Sequence, residues 1–157
     1  MGTQLRVRTS EAATTGFRGF TLSLVVFQPA SKRFYVERDL QELLAASPSA
    51  LGEALTLVKR EWATEVGPVD LMCKDDDGEW VAVEIKRVGT IEAVEQLTRY
   101  LGFIREDPAK AGCRGVLAAQ SIKPQAVALA ESREIRCAEV DLAVLRGERE
   151  PDLTLFG

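Results

Sequence analysis

The chain has 157 residues, 46% of them hydrophobic, which is enough apolar material for one domain with a buried core. It contains no histidine, which excludes Ser-His-Asp and Cys-His catalysis, histidine zinc sites and histidine general bases. The net charge of −4 divides into +4 over residues 1–38 and −8 over the rest, so a basic arm able to touch phosphates precedes an acidic body.

The cysteines, Cys73, Cys113 and Cys137, are odd in number and far apart, as expected of reduced thiols rather than a disulfide framework or a zinc cage. No apolar run approaches the roughly 20 residues of a membrane span, and the opening MGTQLRVRTSEAATTG lacks the apolar segment of a signal peptide. The expectation is a cytoplasmic protein with no membrane partner.

Taken in chain order, the first twenty residues show no periodicity. TLSLVVF reads as a strand, Gln28-Pro29-Ala30-Ser31 as a turn, and Arg33 to Val36 as a second short extended piece. Glu37 to Ala46 reads as a helix with Leu40, Leu43 and Leu44 on one face, stopped by Ser47-Pro48, and a short helix follows over 49–54.

Leu55 onward is a strand running toward Glu61 and Trp62, and Val69 to Lys74 is the next. Asp75-Asp76-Asp77-Gly78 makes a tight polar turn before the returning strand Trp80 to Lys86, and the three strands form an antiparallel meander. Ile91, Val94, Leu97, Thr98, Leu101 and Ile104 recur at helical spacing, with Gly89 or Thr90 as the cap and Asp107-Pro108 as the end.

GVLAAQ at 115–120 is a buried strand, Pro124 to Ser132 a helix, Ile135 to Val140 a strand and Asp141 to Arg146 a last short helix. Strand, helix, strand after a meander requires a parallel crossover, so the fold class is α/β with a mixed sheet.

The chemistry is carried by VDLMCKDDDGEWVAVEIKR. Asp70 interrupts an apolar strand, and a buried unpaired carboxylate is costly. Glu84 and Lys86 are two apart and share a face, and the turn folds Asp70 back toward Glu84, in a register that a bulge would shift by one. Two carboxylates that close repel unless a cation lies between them. Mg²⁺ or Mn²⁺ suits an oxygen site of this kind, and Lys86 beside it would orient a water or neutralise a phosphate oxygen.

An ordinary ion pair on a solvent face of the sheet is the competing reading of these three residues. Gln96 and Tyr100, four apart on the following helix with Arg99 beside them, add a polar face expected to look toward solvent or a cleft. Glu37, at the start of the first long helix, could bring a further acidic group to the same cleft.

VGPVDLMCKDDDGEWVAVEIKR followed by GTIEAVEQLTRYL resembles the catalytic domain of the NucS/EndoMS nucleases, members of the PD-(D/E)xK superfamily. The resemblance runs from about Glu37 to the C-terminus and implies a restriction-endonuclease-like mixed central sheet flanked by helices. It implies Asp70 and Glu84 as metal ligands, the Ile85 carbonyl as a third, Lys86 as the catalytic lysine, and Gln96 and Tyr100 as residues that steady the site. Glu37 in E-x-x-L-x-x-L-L matches the acidic residue of the first helix, ranked above Glu42.

The same resemblance implies cleavage of mismatched, branched or flapped double-stranded DNA, and recruitment by the replication sliding clamp. The clamp-binding candidates are Leu153, Leu155 and Phe156 in the tail, and the DNA-contacting candidates are Lys32, Arg33, Arg87 and Arg99. Only some 35 residues precede Glu37, where the family carries a dimerising N-terminal domain of about a hundred residues.

The expected organisation is an arm over 1–36, a catalytic domain over 37–147 and a tail over 148–157, acting as a homodimer or with an accessory DNA-binding subunit. Two other readings remain: a clamp- and DNA-binding module that does not cut, and a restriction-like defence nuclease with the same active site.

Overall fold

The computed structural model describes residues 29–151, with side chains from residue 35 onward. The chain divides into two compact units, Met1–Val36 and Glu37–Gly157. Of the first, only the start of a helix is described. The expected strand TLSLVVF, the side chains of Lys32 and Arg33, and the tail residues Leu153, Leu155 and Phe156 lie outside the described residues.

Helix α1 spans Pro29–Ala46, which corrects two expectations. Residues 29–31 are not a turn, and Arg33 to Val36 is helical rather than extended. Proline at the first helical position has its φ already set and lacks an N–H that would have no partner there, so Pro29 starts this helix instead of interrupting a strand. The aromatic and β-branched residues of RFYV favour strands only weakly, and the helix that continues through Leu40 and Leu44 overrides them. A 3₁₀ turn over Pro48–Leu51 follows and ends at Gly52, whose φ of 89° is in the left-handed region. The helix expected over 49–54 is therefore shorter than predicted.

Five strands form one sheet: β1 Leu55–Thr64, β2 Gly67–Asp75, β3 Trp80–Gly89, β4 Arg114–Ile122 and β5 Ile135–Glu139, in spatial order β1-β2-β3-β4-β5. The first three pair antiparallel, while β3 with β4 and β4 with β5 are parallel. Helix α2, Ile91–Ile104, carries the chain from β3 to β4, and α3, Pro124–Ser132, carries it from β4 to β5. This is the mixed sheet that the strand and helix order required.

The DDDG segment is the turn between β2 and β3. The Asp75 carbonyl accepts from the Gly78 N–H, and Asp75 Oδ1 accepts from the main-chain N–H groups of Asp77 and Glu79. Asp75 Oδ2 is taken by Arg114 at 3.1 Å. The oxygens of Asp75 are thus occupied in holding the turn closed and tying it to β4.

Thr90 caps α2 through its hydroxyl, which accepts from the Ala93 N–H. The apolar stripe of this helix, Ala93, Val94, Leu97, Leu101 and Ile104, packs with Met72, Ala82 and Leu117 into a core that also takes in Ala126 and Ala130 of α3. Leu40 and Leu44 of α1, with Leu51, are buried outside that cluster. Leu71, Val81, Val83, Ile85 and Val116 are buried with them, on the strand positions that alternation turns to the opposite face.

Close contact between α2 and β4 depends on Gly115. A Cβ there would lie 2.9 Å from Leu101 Cδ1 and 3.1 Å from Leu97 Cδ2, inside van der Waals distance. Gly115→Ala is expected to push α2 off the sheet and cost about 1–3 kcal/mol, read as a lower melting temperature. An unchanged melting temperature would show that α2 is not seated by this contact.

Candidate active site

The β2–β3 ladder runs from Lys74↔Trp80 to Leu71↔Val83 without a bulge and stops there. One step further along the same register Asp70 comes opposite Glu84, which settles the register that the sequence left open. At that step the main chains part, and Asp70 Oδ2 accepts the Ile85 N–H at 2.7 Å. A carboxylate thus takes the place of a backbone acceptor at the point where the hairpin opens. The irregularity lies instead on β1, where the pairing shifts between Leu57 and Lys59.

Glu84 is 2% exposed and is the buried charged residue among the described core positions. Its Oε1 lies 3.0 Å from Lys86 Nζ. Its Oε2 is buried with no hydrogen-bond partner. Burial, reinforced by the charge of Asp70 and only partly offset by Lys86, pushes the Glu84 carboxyl up to about 7. Asp70 is raised too, first by burial, against the Ile85 N–H and Lys86, with Glu37 and Glu61 adding repulsion. Burial opposes the charge on Lys86, yet the carboxylates of Glu84, Asp70 and Glu37 outweigh it and hold the ammonium above its ordinary value.

Glu37 belongs to the same constellation. Its Oε2 accepts the Arg87 N–H at 3.0 Å, and its charge reaches Asp70, Glu84 and Lys86. Glu42, the competing candidate, is paired instead with Arg60 at 2.7 Å.

Gln96 and Tyr100 are joined to each other, Gln96 Nε2 donating to the Tyr100 hydroxyl at 2.5 Å. Tyr100 does not look toward solvent as the helix pattern suggested: it is 3% exposed and its ring belongs to the core. A phenol is mostly apolar and can be buried when its hydroxyl has a partner, which Gln96 supplies. The hydroxyl lies over Gly67, at 3.3 Å from where a Cβ would stand, three residues before Asp70. The pair therefore braces the start of β2, and no hydrogen bond links it to the carboxylates. Arg99 is exposed on the helix surface, and Arg87 is half-buried at the end of β3.

The sequence reading missed Glu61. It falls on β1 between the pairs Arg60↔Leu71 and Trp62↔Val69, which places it opposite Asp70, and its charge raises the Asp70 carboxyl. Its φ of 47° is in the left-handed region, which side chains other than glycine seldom adopt. Nothing in the run REWAT marks such a backbone, so no sequence signal would have singled it out.

Asp70, Glu84, Glu37 and Glu61 thus face a single ammonium, Lys86. Among the described residues no three carboxylates or thiols converge into a protein-only cage. The donor set fits a hard divalent ion held by Asp70 and Glu84 with remaining positions left to carbonyl and water oxygens, and the orphaned Glu84 Oε2 is the oxygen such an ion would satisfy.

The arrangement agrees with what the chain is similar to. The family model described as the Endonuclease NucS C-terminal domain matches residues 36–154. The chain belongs to the NucS endonuclease family.

Endonuclease NucS of Corynebacterium efficiens is 55% identical over 121 residues, covering 77% of this chain and 53% of that protein. Endonuclease NucS of Corynebacterium glutamicum is 47% identical over 155 residues, covering 99% of this chain and 65% of that protein. The chain therefore spans between about half and two thirds of these NucS relatives.

Among solved structures, a repair endonuclease from Pyrococcus abyssi superposes with a TM-score of 0.61 at 29% identity, over 67% of this chain and 46% of that one. EndoMS in a complex with double-stranded DNA gives 0.62 at 29% identity, over 67% and 44%. The sheet and helices described above are thus the fold of NucS and EndoMS endonucleases. Among the described residues no helix is long and apolar enough to cross a membrane.

Proposed function

We propose that this chain is a Mg²⁺- or Mn²⁺-dependent endonuclease that hydrolyses phosphodiester bonds in mismatched or branched duplex DNA and serves mismatch repair. The observation that carries the reading is the buried, unpartnered oxygen of Glu84 beside Asp70, on a carboxylate already bonded to Lys86. A fold that needed only to pack would place Val or Ile there, because an uncompensated buried carboxylate costs several kcal/mol.

A divalent ion held at Asp70 and Glu84 supplies Lewis-acid stabilisation of phosphoryl charge and activation of the attacking water. The Ile85 N–H fixes one oxygen of Asp70 and leaves the other for that role. Glu84 Oε1 holds Lys86 Nζ in place, where the ammonium can donate to a non-bridging phosphate oxygen as charge builds there. Glu37, tied to the Arg87 main chain, adds negative potential that keeps Lys86 protonated. Gln96 and Tyr100 position the site indirectly, through the β2 start at Gly67. DNA as the substrate is supported by the complex with double-stranded DNA formed by the EndoMS relative.

Recruitment by the sliding clamp is assigned to the tail residues Leu153, Leu155 and Phe156, whose apolar and aromatic side chains suit a pocket on a partner.

The decisive experiment is a cleavage assay on mismatched, flapped and perfect duplexes with Mg²⁺ or Mn²⁺, with EDTA as control. Cutting of the mismatched or flapped DNA that EDTA abolishes is the expected result. DNA binding without cutting in either metal would overturn the nuclease reading in favour of a binding module.

A further inference from the structure

Five arginines of the described residues are half-buried: Arg60, Arg87, Arg114, Arg133 and Arg136. Four of them are paired with carboxylates, namely Glu42, Glu53 with Asp75, Glu95, and Glu53 again. Arg87 is the exception. Its guanidinium makes no ion pair or hydrogen bond within the described residues, and its Nε is buried without a partner. Arg136 Nε is orphaned as well, but that guanidinium is held through its other nitrogens by Glu53 and the Leu51 carbonyl.

The nearest acid by sequence and position does not serve Arg87. Glu37 Oε2 binds the main-chain N–H of Arg87 and not its side chain. A guanidinium that is half out of water with none of its donors used is destabilising, and evolution usually removes such a group or pairs it. What remains is a ligand that brings the missing anion.

Its place in the fold says which anion. The β3–β4 ladder keeps one register from Val81 to Gly89, so alternation along β3 is unbroken. Glu84 and Lys86 share one face of the strand and Arg87, one residue on, turns to the other. The end of β3 therefore presents one cation on each side of its edge, Lys86 at the carboxylate site and Arg87 beyond it. A planar fork of N–H donors matches a phosphate bidentately, whereas an ammonium acts as a point charge.

We infer that Arg87 grips a DNA backbone phosphate next to the scissile one, so that the strand is held across the end of β3 while Lys86 attends to the reacting phosphate. This rests on the nuclease reading for its substrate and concerns binding, not chemistry. It differs from Lys86 in its signature: Arg87 contributes to affinity for any duplex, with no preference for the base sequence.

The test uses the whole chain and a fluorescent mismatched duplex, titrated over a range of salt in EDTA, with Arg87→Met and Arg87→Lys. Arg87→Met is expected to weaken binding about tenfold and to reduce the slope of log affinity against log salt by about one. Arg87→Lys should restore the slope but only part of the affinity. The melting temperature of Arg87→Met should stay level or rise, since an unpaired cation has been taken out of a half-buried position.

In cleavage assays the Arg87→Met loss should fall on KM more than on kcat. Unchanged affinity and slope would overturn the inference, and so would a fall in melting temperature with affinity retained, which would make Arg87 a packing residue. A wild-type protein that shows the Arg87-dependent slope yet never cuts would sink the nuclease reading and leave this one standing. A wild type that cuts, with an Arg87→Met slope equal to its own, would do the reverse.

Discussion

Glu84→Gln is expected to reduce DNA cleavage by at least about a thousandfold while making the metal-free protein more stable at neutral and alkaline pH. The two effects have one cause. Glu84 Oε2 is buried and unpartnered, and the carboxyl sits near Asp70 with only Lys86 to offset the repulsion. Without a cation that charge is a burden on the fold, and with one it is the charge the reaction needs. The amide removes both at once.

Cleavage rates and melts in EDTA at pH 8 check this. Retained cutting by cleanly purified Glu84→Gln would remove Glu84 from the mechanism. A lower melting temperature in EDTA would show that the Glu84–Lys86 pair is a net stabiliser and that the site is structural. Lys86→Ala is not an equivalent probe, because it leaves Glu84 buried without its one partner.

The second large effect is on the pH dependence of stability. The Glu84 carboxyl lies at about 7 in the folded protein against an ordinary value of 4.5, so between those limits the folded chain holds a proton that the unfolded chain has released. The contribution is a stabilisation present below 4.5 and lost as pH rises through 7. Its size is on the order of 3 kcal/mol, an upper figure because the carboxyl can relax toward Lys86. Asp70 is displaced in the same direction.

In EDTA the melting temperature should therefore fall by roughly 5–10 °C on going from pH 5 to pH 8, and Glu84→Gln should flatten much of the fall. Because a divalent ion binds the deprotonated carboxylates, the melting gain from saturating Mg²⁺ or Mn²⁺ should be larger at pH 8 than at pH 5.5. A metal-free melting temperature that climbs over this range in both proteins would contradict the buried, uncompensated site.

Local chemistry made most of the framework legible. The three-residue alternation of VAVEI, the polar DDDG and the return to apolar LMC define a hairpin because side-chain period and turn residues are properties of neighbours along the chain. Helix α2 was legible from its stripe and its Thr90 cap for the same reason. Glu84 and Lys86 share a face by simple parity.

The start of α1 was misread because RFYV has little pattern of its own, so the continuation of the helix into Leu40 and Leu44 decides its conformation. Tyr100 was placed on the wrong side because a phenol suits either a cleft or a core, and the choice rests on whether Gln96 satisfies its hydroxyl.

By itself, then, the sequence determined the order of strands and helices, the mixed sheet that their order requires, the turn at DDDG, and the pairing of an acid and a lysine on one face of β3. Only the tertiary structure decided where the hairpin opens, that Asp70 replaces a backbone acceptor for Ile85, that Glu61 stands opposite Asp70 and that Arg87 has no partner. The physical reason is range. Periodicity, caps and turns act over a few residues, whereas a ladder's last pair, a buried oxygen without a donor and an unmatched guanidinium exist only once segments distant in sequence are brought together.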